Sequence, residues 1–364
     1  MTRRIRYCYT VGHKMKTFSS RSDVPRIVDV ARAARVSITT ASRVLNGVTT
    51  YPVAAATRER VLAAARSLNY SPSALARALV TKRSRIVGVL VGDIVDPYFA
   101  EIVRGVEAVA RQAEYLVIVC NTERDPALER RAVAALRDYS ADAILFAGGD
   151  FGDEEAGRLL QAELEPVLAR GGIALALAGD RPGLPAIDID HTAAAAELTR
   201  YLIGLGHQRI AFIGGPPQVS TARARLAGFL AAMAEAGLPA NWILDGGYSF
   251  SGGLAAGTSL AGTVDAIVAA NDQMALGALA ALRTAGLRVP ADVSLASFGG
   301  TSAAAQAVPA LTTLVIPREQ IGAVAMQAVL GALAPQPVVI ASQLLPYTIV
   351  VRESTAPRLP EDAR

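Results

Sequence analysis

The chain has 364 residues, of which 19% are charged and 52% hydrophobic, a composition typical of globular rather than disordered proteins. At about 100–200 residues per domain, this length predicts two or three domains. Residues 1–85 carry 17 Lys and Arg against 3 Asp and Glu, a net charge of +14. Residues 86–364 carry 19 against 29, a net charge of −10. This asymmetry indicates a polyanionic partner that binds at one end of the chain.

Several functional classes are disfavoured by what the sequence lacks. Cys8 and Cys120 cannot form a disulfide framework, and His13, His191 and His207 have no metal-ligand spacing. There is no nucleophile elbow, P-loop or dinucleotide fingerprint, so we expect no metal, no cofactor and no enzyme activity. No apolar run is long enough for a signal peptide or a bilayer span, which predicts a cytoplasmic, nucleoid-associated protein without a membrane partner.

Residues 25–70 predict a small helical domain. Apolar residues recur at helical spacing from Ile27 to Ala34, from Ile38 to Leu45 and from Thr57 to Leu68. Ser37 is the expected N-cap of the second helix. Two short helices joined by a tight turn, in a basic segment, are the arrangement of a helix-turn-helix.

Polar segments flank the predicted domains. Residues 1–24 have no helical period, and we expect either a basic disordered arm or a mis-assigned gene start, with Met15 as the true first residue. Residues 71–85 contain a Ser-Pro break, a brief helical pattern that Ser73 can cap and a basic cluster, and they predict a hinge helix with a linker. Residues 356–364 are expected to form a disordered tail.

Residues 86–355 predict an α/β body. Apolar runs such as Ile86–Val91, Ala143–Ala147 and Ala266–Ala269 alternate with helical patterns in two successive series. Strands that are apolar on both faces and alternate with helices indicate parallel sheets with right-handed crossovers. Two such series predict two lobes, with a ligand cleft lined by the loops that follow the strands.

Specific stretches of the chain resemble the LacI/GalR (lactose-repressor) family. In the basic segment they are IVDVARAARVSITTASRVLN from Ile27, TRERV from Thr57 and LNYSPSALARAL from Leu68. In the body they are DPYFAEIVRG from Asp96, GLGHQRIAFIGG from Gly204, RARLAGF from Arg223 and ANDQMALG from Ala270. The resemblance spans residues 26 to about 353. It implies a helix-turn-helix headpiece joined to a two-lobed sensor domain like that of periplasmic binding proteins.

A recognition helix places its first residues against base edges in the major groove, which predicts base contacts from Ile38, Thr39 and Arg43. Arg43 can grip guanine with two hydrogen bonds, whereas Ile38 can offer only apolar contact. Contacts that position the protein on the phosphates are expected from Thr40, Ser42 and Asn46. In the hinge, the resemblance implies that Leu79 wedges into the minor groove. Further DNA contacts are expected from Ser73, Ala76 and Lys82.

Family effector contacts map onto loops in both lobes of the body. The matching positions are Tyr98, Phe99, Asp180, Thr221, Arg225, Tyr248 and Asn271. Aromatic rings with hydrogen-bonding groups suit a small polar effector, with a sugar as the candidate. Asp272 is expected to cap the next helix instead of contacting ligand.

Several positions depart from the family pattern, among them Arg35, Ala54 and Gly299. Arg35 stands where the family usually has a turn glycine, and Ala54 replaces a serine cap. Gly299 stands where a ligand-binding aspartate is common, so one carboxylate anchor for a hydroxyl-rich ligand is missing.

The sequence therefore predicts a sequence-specific DNA-binding transcriptional regulator, a repressor. It would bind a near-palindromic double-stranded operator as a homodimer, under the control of a small effector held between the lobes. The alternative is a solute-binding protein of the periplasmic type without a DNA function. That alternative would need an export signal and no basic headpiece, which is the reverse of what the sequence has.

Overall fold

The computed structural model describes residues 25–47, 51–71, 78, 81–149 and 152–358. The chain divides into two compact units, Met1–Arg83 and Ser84–Arg364, called the headpiece and the body below. Within the described ranges, no helix combines the length and the apolar character that crossing a bilayer requires.

The described part of the headpiece contains three helices. These are α1 (Ile27–Ala34), α2 (Ile38–Leu45) and α3 (Ala55–Ser67). The first two have the predicted bounds, whereas the third begins two residues earlier than expected. The three helices enclose one small core made of Val30, Ala31, Ala34, Ala41, Val44, Val61, Ala64 and Ala65. Since the core side chains are small, the stability of this unit also depends on its turns and caps.

The turn between α1 and α2 carries one favourable and one unfavourable residue. Ser37 caps α2 as predicted, and its side chain accepts a hydrogen bond from the Thr40 amide at 3.1 Å. Arg35 adopts the left-handed conformation with φ 53° and ψ 50°, where the side chain has a steric cost that glycine lacks. At the start of α3, Ala54 makes no side-chain capping bond. The two expected departures at Arg35 and Ala54 are therefore confirmed in the local structure.

The body contains two six-stranded sheets. In spatial order, the strands of the first sheet are β11 (Gln343–Leu344), β5 (Ala186–Asp188), β4 (Ile173–Leu177), β3 (Ala143–Ala147), β1 (Ile86–Val91) and β2 (Leu116–Asn121). Those of the second are β12 (Thr348–Val350), β10 (Thr312–Val315), β9 (Ser294–Gly299), β8 (Ala266–Ala269), β6 (Ile210–Gly214) and β7 (Ile243–Asp245). All neighbouring strands are parallel except β10 and β12. The predicted pair of parallel lobes is confirmed.

Helices connect these strands. They are α4 (Pro97–Gln112), α5 (Pro126–Asp138), α6 (Glu154–Ala169), α7 (His191–Gly204), α8 (Ser220–Glu235), α9 (Phe250–Leu260), α10 (Asp272–Thr284), α11 (Ser302–Gln306) and α12 (Arg318–Ala332). The chain passes between the two sheets three times, after β5, after β10 and after β11. Because of the second crossing, α12 packs on α4 of the first lobe although the strand before it belongs to the second lobe.

Both ends of the body are held by buried carboxylates. Asp142 accepts hydrogen bonds from the Ser84 and Arg85 amides at 3.1 and 3.0 Å, which fixes the start of β1. At the other end, Arg358 pairs with the buried Asp265 at 3.1 Å. The ordered body therefore continues to at least Arg358, three residues beyond the expected boundary at 355.

The contact between α4 and α12 depends on a glycine from each helix. A Cβ atom at Gly105 would lie 2.0 Å from the backbone oxygen of Glu319, and one at Gly322 would lie 2.1 Å from that of Ile102. Backbone atoms cannot move aside as a flexible side chain can, so both positions exclude larger residues.

We expect Gly105→Ala to lower the free energy of unfolding of the body by about 1–3 kcal/mol because the added methyl group overpacks this contact. Gly157→Ala is the matched control. Gly157 is an exposed glycine in α6 with no atom within 4 Å of an added Cβ. Alanine there should stabilise the helix by about 0.5–1 kcal/mol. Denaturant unfolding measures both changes, and equal effects of the two substitutions would contradict this account.

Two glycine substitutions near the turn at Arg35 should change the stability of the headpiece in opposite directions. Arg35→Gly should raise headpiece stability by up to about 1 kcal/mol since glycine adopts the left-handed conformation without strain. Arg32→Gly, three residues earlier and inside α1, should instead lower it by about 1 kcal/mol. Amide hydrogen exchange of α1 and α2 in the full-length protein reports both changes. A loss of protection in Arg35→Gly would show that the turn needs the arginine side chain.

Candidate DNA-binding and effector sites

The three predicted base-reading residues lie along α2, with Ile38 and Thr39 at its start and Arg43 in its last turn. Ile38 is 50% exposed although it is apolar, and Thr39 beside it is also exposed. One turn further along, the Arg43 guanidinium lies over the ring of Tyr51, with its Cζ 4.4 Å from the ring centroid. Tyr51 belongs to the segment between α2 and α3 and holds the arginine by a cation–π contact. The helix therefore offers one apolar group, one hydroxyl and one oriented guanidinium.

The predicted phosphate-contacting residues take part in hydrogen bonds within the headpiece. The Thr40 and Ser37 hydroxyls lie 2.9 Å apart, and the Asn46 side-chain amide donates to the Ser42 hydroxyl at 3.1 Å. Lys82 is exposed, with a φ of 55°. The predicted contacts at Ser73, Ala76 and Leu79 lie outside the described residues.

A cavity of about 70 Å³ lies between the two lobes of the body. It is lined by loops that follow β1, β2, β3 and β4 in the first lobe and β6, β7 and β8 in the second. This is the position at which parallel sheets bind ligands, beyond the carboxyl ends of their strands. Six of the seven sequence-predicted effector residues line it: Tyr98, Phe99, Thr221, Arg225, Tyr248 and Asn271.

Asp180 is the exception among the predicted effector residues. It is exposed and is not among the residues that line the cavity. Its neighbour Arg181 takes the inward position, where it forms two hydrogen bonds with Glu129, at 2.9 and 2.6 Å, and lies over the Phe146 ring. The charged residue after β4 that lines the cavity is therefore cationic, not acidic as predicted.

Sequence reasoning also missed Arg124, Glu129 and Asp96 in the lining. Arg124 follows β2, so the rule that selects loops after strands could have found it, whereas Glu129 lies on α5 and carries no such signal. Asp96 caps α4 by accepting a hydrogen bond from the Tyr98 amide at 3.0 Å. Burial raises the pKa of the Asp96 carboxyl above its usual value, more than the hydrogen bond lowers it.

The roles expected for Asn271 and Asp272 were partly wrong. Asn271, not Asp272, caps α10, because its side-chain oxygen accepts from the Met274 amide at 2.8 Å. The Asn271 side-chain nitrogen donates to the Tyr248 carbonyl at 3.1 Å. Asp272 is buried and accepts from Ser297 and Thr313 hydroxyls and the Thr301 amide. Asp272 thus links α10 to β9 and β10.

Gly299, at the end of β9, lies against the Asp272 carboxylate. It has a φ of 133°, and a Cβ atom there would lie 2.7 Å from Oδ2 of Asp272. Any side chain at this position would be strained and would crowd a carboxylate. Among the residues that the structure describes, no group of three or more His, Cys, Asp or Glu side chains could hold a metal ion.

Two family models match parts of the chain. Residues 26–73 match the model for bacterial regulatory proteins of the lacI family, and residues 199–355 match the model for a periplasmic binding protein-like domain. The first covers the helices of the headpiece and the second covers most of the second lobe of the body.

Curated relatives and solved structures agree with these matches. Catabolite control protein A of Staphylococcus xylosus is 34% identical over 332 residues, which are 90% of this chain and 98% of that protein. The lac repressor dimer bound to operator and the anti-inducer ONPF is 29% identical, with a TM-score of 0.80 over 91% of this chain and 99% of that one. The transcriptional regulator CelR in complex with cellobiose is 28% identical, with a TM-score of 0.66 over 91% and 99%. The chain belongs to the LacI family of bacterial regulatory proteins.

Proposed function

We propose that this chain is a transcriptional repressor and not an enzyme. It binds a near-palindromic operator as a homodimer in the nucleoid, and a small polar effector between its lobes sets the operator affinity. The observation that carries the proposal is helix α2 of a basic headpiece, where Ile38 and Thr39 are exposed at the start and Arg43 follows in the last turn. The similarity to an operator-bound lac repressor dimer supports both the DNA partner and the dimer.

The proposal assigns different tasks to the headpiece residues. Arg43 reads a guanine because its guanidinium presents two donors to O6 and N7, and Ile38 contacts a thymine methyl group. Thr40, Ser42, Asn46 and Lys82 contact the sugar-phosphate backbone, which positions the protein without selecting sequence.

The hinge assignments rest on the sequence. Ser73 and Ala76 would contact the DNA, and Leu79 would enter the minor groove at the centre of the site and bend the duplex.

The cavity between the lobes supports the effector part of the proposal. Six predicted contact residues converge there from separate loops of both lobes, and a family member with cellobiose bound has the same fold. A ligand that binds one arrangement of the lobes better than another shifts the population of the DNA-binding state by that difference in affinity. Effector binding and DNA binding are therefore reciprocally coupled.

We expect operator binding by the full-length protein to fall steeply with salt, since each phosphate contact releases counterions. For six or more contacts, the loss between 50 and 200 mM salt is about a thousandfold or greater. A fragment of residues 84–364 keeps both body cores and should be folded but unable to bind. Fluorescence anisotropy with labelled operator measures this, and tight binding by the fragment would contradict the proposal.

Arg43→Ala should cost about 1–3 kcal/mol of operator affinity and relax the preference at one base pair in each half-site. Lys82→Ala, the control, should weaken binding to all sequences about equally and reduce the salt slope by about one. Selection from a randomised operator library separates the two results. If Arg43→Ala weakened every sequence alike, Arg43 would be a phosphate contact and the base-reading assignment would be wrong.

A further inference from the structure

The three buried arginines of the described chain differ in their partners. Arg181 pairs with Glu129, and Arg318 pairs with Glu101 at 2.7 Å. Arg225 is only 5% exposed, yet no carboxylate among the described residues lies within 4 Å of its guanidinium. A buried charge is destabilising unless it is paired. Arg225 differs from the other two arginines because its buried guanidinium has no carboxylate partner.

None of the partners that Arg225 has among the described residues is a carboxylate. Its Nε donates to Nδ1 of His191 at 3.3 Å, its Nη1 donates to the Ala270 carbonyl, and its Cζ lies 5.1 Å from the centroid of the Phe298 ring. The Asp188 carboxylate contacts the opposite nitrogen of His191, at 3.1 Å, so the imidazole ring separates it from Arg225. These contacts fix the orientation of the guanidinium without neutralising it.

A second unmet group lies in the same cavity. The Tyr98 hydroxyl is buried and has no hydrogen-bond partner, although Tyr98, like Arg225, lines the cavity. Burial raises the pKa of Tyr98 to about 12, so its hydroxyl is protonated at neutral pH and can donate a hydrogen bond. A buried donor without an acceptor is destabilising. The Tyr98 hydroxyl and the Arg225 guanidinium are thus both donors that a ligand acceptor could satisfy.

The two carboxylates of the described chain that line the cavity are engaged by protein donors. Glu129 accepts from Arg181 through both oxygens, and Asp96 accepts from the Tyr98 amide. The buried Asp188 does not line the cavity and lies against His191. Arg225 and Tyr98 can therefore still donate hydrogen bonds, and the charge of Arg225 favours an acceptor that is negatively charged.

We propose that the effector is a small organic anion whose carboxylate pairs with Arg225 and accepts a hydrogen bond from the Tyr98 hydroxyl. This rests on the effector site proposed above and assigns the chemical class of its ligand. A carboxylate fits because it is planar and can accept two parallel hydrogen bonds from a guanidinium. A sugar acid meets this requirement and also the aromatic lining of the cavity, whereas the parent neutral sugar leaves the charge of Arg225 unpaired.

The test uses the full-length protein and matched ligands that differ in charge. Titration calorimetry compares glucose with gluconate and glucuronate, and galactose with galacturonate, with glucose 6-phosphate as the phosphate-bearing probe. Formate and acetate are compared with chloride at equal ionic strength by thermal shift, because they test the charge without requiring a particular carbon skeleton. Operator binding is measured on the same samples, with and without each probe.

We expect at least one acid to bind about tenfold or more tightly than its neutral partner, because its carboxylate adds a charge-assisted hydrogen bond. Arg225→Met should remove this preference, and Tyr98→Phe should weaken binding of the acid several-fold. Arg223→Met is the control, since Arg223 is exposed on the same helix and does not line the cavity. It should leave the preference unchanged. Should Arg225→Met fail to fold, Tyr98→Phe still tests the site.

Three results would overturn the proposal. Neutral sugars could bind as tightly as their acids, which would leave an effector-controlled regulator with an uncharged ligand. Glucose 6-phosphate could bind where no carboxylate does, which would show that the anion is a phosphate. The third such result is that no probe, including formate and acetate, binds or stabilises the wild type more than it does the Arg225→Met variant. Failure of the proposed function is separate, because it would appear as absent operator binding in samples without any probe.

Discussion

The organisation of the body depends on the way one chain passes three times between two parallel sheets. Each lobe contains five consecutive strands and one later strand, and the late elements α12 and β11 return to the first lobe. Because the carboxyl ends of both sheets meet at the same cleft, loops from seven strands converge on one cavity. The close approach of α4 and α12, at Gly105 and Gly322, keeps the returning helix in place.

The crossings also explain how the cavity is braced. Arg318 follows the second crossing, pairs with Glu101 of α4 and donates to the Gly300 carbonyl at 3.2 Å. His191 follows the first crossing and accepts from Arg225 of α8. Groups that line or support the cavity are thus attached to the segments that connect the two lobes. The proposed effector would therefore contact residues next to these connections.

Much of this architecture could be predicted from the sequence because its signals are local. Helices α1 and α2, the cap at Ser37 and the strongly apolar strands follow from periodicity and turn chemistry. The short strands β5, β7, β11 and β12 were not predicted, since two or three residues give no periodic signal. The four-residue strand β10 was also missed.

The cavity lining was harder to predict because it depends on which way a side chain turns. Neighbouring residues exchanged roles in two places: Arg181 lies inward where Asp180 was expected, and Asn271 caps the helix where Asp272 was expected. In both places the pairing partner, Glu129 or the hydroxyl groups of β9 and β10, is distant in the chain. A local sequence pattern therefore does not show which of two neighbouring side chains turns toward the cavity.

Gly299 has a consequence for how this chain can change over generations. The Asp272 carboxylate lies where a side chain at position 299 would begin, and the backbone there has a φ of 133°. A single mutation that restored an acid would place two negative charges together on a strained backbone. An aspartate at position 299 would therefore require an accompanying change at Asp272 or in the loop after β9. Substitutions that alter the cavity are therefore better tolerated at the residues that line it than at position 299.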